Sequence, residues 1–214
     1  MLLLKLSGQD RLIVDTFLGT GMRWEELAGL RVYRVDRRKR TVTIREVLER
    51  DGSLKEVPKS SAGWRVVPLT ERLARKIGRY LHGKNPDDFV FTAPGGGPWQ
   101  YTKWRARVWA PAVQRAGLSD PQPTIHDLRH TWCSELANGG MPLSELKVIS
   151  GHSRISSLER YLHASPSRLD RARGVLESRH GVGTPTLVPV RGGRKSTHHE
   201  QKKTRSELRD AQSG

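Results

Sequence analysis

The sequence predicts an α+β chain, mainly α-helical, with one small antiparallel sheet. Apolar residues recur at helical spacing near the start and again through most of the chain after Pro68, the period of amphipathic helices. Between Arg31 and Pro68 short β-branched runs alternate with Asp-Arg-Arg-Lys-Arg and Asp-Gly turns, the pattern of short strands. The length, 214 residues, suits one domain with or without a tail.

Leu12, Ile13, Phe17 and Leu18 mark a first helix that stops at Gly19 and Gly21. Residues 25–30 read as a short second helix, which puts Arg23 at the junction. Val32, Tyr33 and Val35, then 41–47, 54–57 and 64–68, read as short strands, about three of which make the sheet. Thr70 is the expected N-cap of a helix with Leu73, Ile77 and Leu81 on one face, ending near Gly83. Residues 85–98 are rich in Pro and Gly and read as loop, with a short extended piece at 89–91. Further helices are expected over about 102–116, 124–138, 142–150, 153–163 and 166–178. Past Arg179 large apolar residues nearly vanish, so that stretch cannot offset the entropy of ordering itself. The expected division is therefore a domain over 1–178 and a basic, flexible tail over 179–214.

Charge points to a partner. Lys and Arg number 38 against 22 Asp and Glu, a formal charge of +16, and the sequence pI is about 10.7. That is the footprint of a protein that meets a polyanion, nucleic acid first. Residues 180–214 carry seven Lys and Arg against three acids, so +12 remains in the body. The positive charge recurs from Arg11 to Arg209 instead of concentrating on one helix, which argues against a membrane-surface helix. Mean hydropathy is −0.62, and no apolar run approaches the roughly 20 residues of a membrane span. Cys133 is the one cysteine, so no intrachain disulfide forms and a reducing cytoplasm fits.

The segment Thr124-Ile-His-Asp-Leu-Arg-His-Thr places His126, Arg129 and His130 on one helix face, with Ile125 and Leu128 toward the core. Gly151-His152 is followed nine residues later by Tyr161, and Arg23 and Lys59 add cations at the edges of regular elements. Such a set suits attack on a phosphodiester. Guanidiniums hold nonbridging oxygens by paired hydrogen bonds. A tyrosine, with a pKa of about 10, becomes a nucleophile only beside positive charge and a proton acceptor. Taken alone, each residue has a plainer reading: His126 a satisfied core histidine, Tyr161 a core residue, Lys59 a solvated turn residue beside the competing cation Arg65, and Arg23 a cap on the preceding helix. His130 reads as packing beneath the site. His198-His199, adjacent in the tail, reads as solvated and not as a metal site.

Together these stretches resemble the catalytic domain of tyrosine recombinases, the phage integrase family, most of all integrases of actinobacterial phages and integrative plasmids. The resemblance rests on Gly19-Thr-Gly-Met-Arg23-Trp-Glu-Glu-Leu, Pro58-Lys59 with Arg65-Val-Val-Pro-Leu, Phe91-Thr-Ala-Pro-Gly-Gly-Gly, His126-Asp-Leu-Arg129-His-Thr, Ser150-Gly-His152-Ser and Glu159-Arg-Tyr161-Leu-His. It implies catalytic roles for Arg23, Lys59, His126, Arg129, His152 and Tyr161. Tyr161 would form a 3′-phosphotyrosyl link, Arg23, Arg129 and His152 would polarise the phosphate, Lys59 would protonate the leaving oxygen and His126 would assist proton transfer. No cofactor is implied, neither metal nor ATP. The implied partners are double-stranded attachment-site DNA and further copies of the chain, a homotetramer on DNA and a monomer alone, in the bacterial cytoplasm at the nucleoid. Relatives carry an N-terminal core-binding domain that is expected to be missing here, so weak site selectivity is expected of these residues alone. Two other readings stay open: an integrase remnant that binds DNA without turnover, and a type IB topoisomerase-like relaxing enzyme.

Overall fold

In the computed structural model, which describes residues 2–57, 64–118 and 120–161, the chain opens with a 3-10 turn (Leu2–Lys5) and helix α1 (Gly8–Thr20). Helix α1 buries Leu12, Ile13 and Phe17 as its spacing predicts. It also buries Thr16 and Thr20, whose hydroxyls donate to the carbonyls of Leu12 and Thr16 at 2.7 and 2.6 Å and so cost little. Gly21 ends the helix at φ +59°, and a Cβ there would lie 2.1 Å from Trp132 Cε3. Only glycine meets both demands. Helix α2 (Trp24–Ala28) follows, with Arg23 as its N-cap.

Strands β1 (Val35–Asp36), β2 (Thr41–Ile44) and β5 (Arg65–Pro68) form the expected antiparallel sheet in the order β1-β2-β5. Strands β3 (Glu46–Leu48) and β4 (Leu54–Glu56) form a separate hairpin. The single strand expected over 41–47 is thus two, because Ile44 pairs with Arg65 whereas Glu46 pairs with Glu56. Val32 and Tyr33, expected in a strand, lie in a 3-10 turn (Val32–Arg34). Their amides donate to Asp88 and Pro86 carbonyls at 3.0 and 2.9 Å, which takes them out of the sheet.

Helix α3 (Glu71–Tyr80) starts at Thr70, whose hydroxyl accepts the Leu73 amide at 3.3 Å. The helix expected over 102–116 is helix α4 (Tyr101–Trp104), a π turn (Arg105–Trp109) and helix α5 (Ala110–Arg115). Pro111, lacking an N–H, cannot donate one turn back to Arg107, and the ladder widens just before it. Here Trp104 stacks on Trp109 and tilts against Trp24, which stacks on Phe17, joining α1, α2 and the π turn in one apolar core. Helices α6 (Ile125–Asn138), α7 (Leu143–Ser150) and α8 (Ser156–Glu159) complete the described fold. The last is shorter than expected, since residues 152–155 form the turn out of α7. The helix expected over 166–178, the boundary at 178/179, the tail and Lys59 lie outside the described residues.

Candidate active site

Helix α6 is fixed in phase by its cap. The Thr124 amide and hydroxyl both donate to the Asp127 carboxylate, at 2.7 and 2.8 Å, so the Asp of the His-Asp-Leu-Arg stretch is a capping residue. Ile125, Leu128 and Trp132 then turn inward. His126, Arg129, His130 and Cys133 follow at i, i+3, i+4 and i+7 along one face.

Helix α7 ends in a Schellman turn. Gly151 takes φ +69°, its amide reaches the Val148 carbonyl at 3.3 Å, and the His152 amide reaches Lys147 at 3.2 Å. The next three carbonyls are each taken by a different arginine. Arg65 Nε donates to Ile149 at 3.0 Å, Arg129 Nη2 to Ser150 at 2.6 Å and Arg23 Nη2 to Gly151 at 2.7 Å. A helix C-terminus leaves carbonyls without partners and carries partial negative charge. Here that end gathers three guanidiniums.

Glu26 holds two of them from the other side. Its carboxylate, 3% exposed, accepts Arg65 Nη1 and Nη2 at 2.9 and 2.6 Å, Arg23 Nη1 at 2.9 Å and the Arg23 amide at 2.8 Å. Burial pushes its pKa up, but the hydrogen bonds and charge of Arg65, then Arg23, outweigh that and hold it below the usual carboxylate range. The Arg23 side chain is 39% exposed whereas that of Arg65 is 2% exposed. Arg23 therefore reaches the surface of the cluster, and Arg65 is a buried strut.

Arg129, 2% exposed, also donates through Nη1 to the Gly21 carbonyl. Burial first, then the charge of Arg23, brings its pKa down to about 10, so it stays charged at neutral pH. His152 Nδ1 lies 3.3 Å from Arg129 Nη2 and 2.6 Å from Ser150 Oγ. A guanidinium only donates, so Nδ1 accepts and the proton of the neutral ring sits on Nε2. Burial, then Arg129 and Arg23, lowers the His152 pKa to about 4. His152 thus offers an N–H donor without adding charge.

Tyr161 is 4% exposed. Its hydroxyl hydrogen-bonds His130 Nδ1, and its ring centroid lies 5.6 Å from that of His130, which in turn meets the exposed His126 edge-on at 4.5 Å. Burial, then Cys133, raises the Tyr161 pKa, against the lowering charge of Arg129. The phenol is protonated at rest.

Arg23, Arg129 and His152 are thus brought together at the end of α7. His126 and Tyr161 join them by way of His130, and Lys59 lies outside the described residues. Arg23 does not cap α1, since its side chain goes to Glu26 and Gly151. His130 also hydrogen-bonds Tyr161 instead of only packing beneath the site, and its position four residues from His126 already places it on this face. Sequence reasoning misses Glu26, for which a signal exists: strand alternation puts Arg65 inward with Val67, and an inward arginine demands a buried acid.

The sequence matches the phage integrase family over residues 4–168. The chain belongs to this family. Its fold is that of tyrosine recombinase catalytic domains, as in the Tn1549 transposon integrase in complex with transposon right end DNA, with a TM-score of 0.66 and 26% identity over 78% of this chain and 58% of that one. The catalytic domain of bacteriophage HP1 integrase gives 0.54 and 25%, over 81% and 85%. Among curated relatives, the transposase of transposon Tn916 from Enterococcus faecalis is 31% identical over 69% of this chain and 40% of its own length. Tyrosine recombinase XerC of Corynebacterium efficiens is 27% identical over 75% and 48%. The integrase of Salmonella phage P22 is 36% identical over 37% and 20%. This integrase-family chain spans less than half the length of those curated relatives. None of its described helices is long and apolar enough to cross a membrane.

Proposed function

We propose that this chain is the strand-cleaving and rejoining part of a site-specific DNA recombinase, acting through a 3′-phosphotyrosyl bond to Tyr161. The observation that supports it best is the convergence of Arg23, Arg129 and the neutral His152 at one helix end, with Tyr161 docked one residue along α6 from Arg129. The two guanidiniums and His152 Nε2–H take the nonbridging oxygens of the scissile phosphate. Because the ring of Tyr161 is buried, the turn bearing it shifts only enough to open the phenol oxygen to the DNA while the hydroxyl keeps His130 as its partner. As the phenol oxygen bonds to phosphorus its proton passes to His130, and the exposed His126 relays it outward. The bond to the 5′ oxygen breaks, and that oxygen takes a proton from Lys59. A partner strand's 5′-hydroxyl reverses the step, so the bond energy is kept without metal or ATP. The substrate is attachment-site duplex DNA of a phage or integrative plasmid, and the resemblance of the motifs to actinobacterial integrases favours a host of that kind. The chain acts in the cytoplasm at the nucleoid, a monomer alone and a tetramer across two duplexes.

A nicked duplex carrying the candidate attachment site tests this. Cleavage beside the nick releases a short fragment, and a denaturation-resistant adduct accumulates whose peptide maps to Tyr161. No adduct from the native chain, or the same adduct from Tyr161→Phe, overturns the reading. The first result leaves a DNA-binding remnant; adduct together with relaxation of any supercoiled plasmid favours a topoisomerase-like enzyme.

The proton routes give two further expectations. His130→Phe slows adduct formation by roughly 10²–10⁴-fold, the worth of a general base, and its rate climbs with added hydroxide where the native rate is flat. Lys59→Ala is restored by a substrate whose leaving 5′ oxygen is replaced by sulfur, which departs without a proton. His130→Phe is not restored by that substrate. Single-turnover rates on the two substrates decide both.

A further inference from the structure

A second concentration of positive charge lies away from the catalytic cluster. The turn between β1 and β2 reads Arg37-Arg38-Lys39-Arg40 and lies against α3, where Arg75 and Arg79 sit one turn apart with His82 beyond. Arg37, Arg38, Arg40, Arg75, Arg79 and His82 line a groove of about 730 Å³, and all six are exposed. Gly78 is part of its floor. A Cβ there would sit 3.2 Å from Arg37 Cδ, so the missing side chain lets the Arg37 stem lie close to the helix. Arg40 has φ +53°, the one non-glycine residue with positive φ among those described. Glycine or asparagine fits that backbone better, so the turn carries this guanidinium against its own preference.

The acids nearby do not neutralise the groove. Asp36 accepts the Lys39 amide at 2.8 Å and stands 4.0 Å from the Lys39 ammonium, and Glu71, the one acid lining the groove against five arginines, lies 3.6 Å from Arg75. Arg37, Arg38, Arg40 and Arg79 have no ion pair among the described residues. Guanidinium forks in such density match phosphate oxygens. The groove also sits at the wrong end of the sheet to serve the catalytic phosphate. Arg65, beside the catalytic cluster, pairs with Ile44, whereas Pro68 pairs with Thr41 next to the turn, about 10 Å further along the strand.

We infer that this groove holds the sugar-phosphate backbone of a second stretch of DNA, apart from the one at Arg23 and Arg129. The inference rests on the DNA-cleaving reading of the active site, and recombination, which joins two duplexes, gives it a use. The test begins with the native chain trapped on a short nicked duplex through Tyr161, so that the catalytic site is filled. A second, labelled duplex of unrelated sequence, about 30 base pairs long and so roughly three helical turns, is then titrated against the adduct at several salt concentrations. The native adduct is expected to bind it, and the Arg37→Ser/Arg38→Ser/Arg79→Ser triple variant to bind at least roughly tenfold more weakly, with a salt slope shallower by about 0.9 for each phosphate no longer neutralised. Adduct yield and melting temperature are expected to stay unchanged. Equal binding and slope in the triple variant overturn the inference and leave the cleavage reading standing. The same holds if poly-glutamate, but not DNA, distinguishes the two proteins, because the groove then serves an acidic protein. Failure of the native chain to form any adduct overturns the cleavage reading and this inference with it.

Discussion

Glu26→Ala is expected to cost about 3–5 kcal/mol of folding free energy, the usual result of stranding a buried charge by removing its partner. Arg65 is the reason. Its guanidinium is 2% exposed and, without the carboxylate, keeps only the Ile149 carbonyl among its described partners. Against a typical stability of about 5–15 kcal/mol the loss lowers the melting temperature by on the order of 10 °C. Arg65→Met added to Glu26→Ala should recover much of it, since the double change removes both charges. A melting temperature for Glu26→Ala within roughly 2 °C of the native chain would mean that the pair contributes little. The pH dependence has a defined sign. The folded pKa of Glu26 is depressed, so its contribution is fully present above the ordinary carboxylate pKa of about 4.3. It is lost only as pH falls below that value through the folded one. Melting temperatures recorded from neutral pH downward for the native chain and Glu26→Ala should converge only in that acid range.

Arg129→Lys is expected to slow adduct formation by roughly 10²–10³-fold, the scale of losing one preorganised donor to a developing charge, with little change in DNA affinity. Charge is kept, so long-range attraction survives. What goes is the fork, which at present spans the Gly21 and Ser150 carbonyls and reaches His152 Nδ1. An ammonium is a single point and cannot hold all three. Without a guanidinium donating to Nδ1, His152 is free to place its proton on the wrong nitrogen. Single-turnover rates set against equilibrium binding separate the two effects. A rate within about fivefold of native, well short of the loss of a preorganised donor, would show that positive charge alone suffices at this position.

Much of the candidate site is readable in the sequence because several of its side chains lie on regular elements with local signals. The spacing of His126, Arg129 and His130 fixes a shared helix face before any fold is known, and Gly151 announces the end of α7 just ahead of His152. The contacts that assemble the cluster are not readable, since they join residues such as Arg23 and Gly151, 128 apart in sequence, through main-chain oxygens that leave no mark in composition. The strand errors have the same origin. Val32 and Tyr33 have β-forming side chains, but the loop carbonyls of Pro86 and Asp88 compete for their amides. The 41–47 run looks like one strand because propensity does not record a change of partner at Arg45. His130 is visible but easily undervalued, because its hydrogen bond to Tyr161 is made by the fold and not by its own neighbours in the chain.

The run of carbonyls at 149, 150 and 151 ties three separate parts of the chain to one helical register. Every amino acid supplies such an oxygen, so the exposed side chain at Val148 is free to vary without disturbing these contacts. Length is another matter. Inserting one residue anywhere between 143 and 149 would swing the helix end by about 100° and turn all three oxygens away from their guanidiniums at once. A helix held this way tolerates recoding at its exposed positions, though not at the buried Leu146 and Ser150, yet loses all three contacts to a single codon gained or dropped within it.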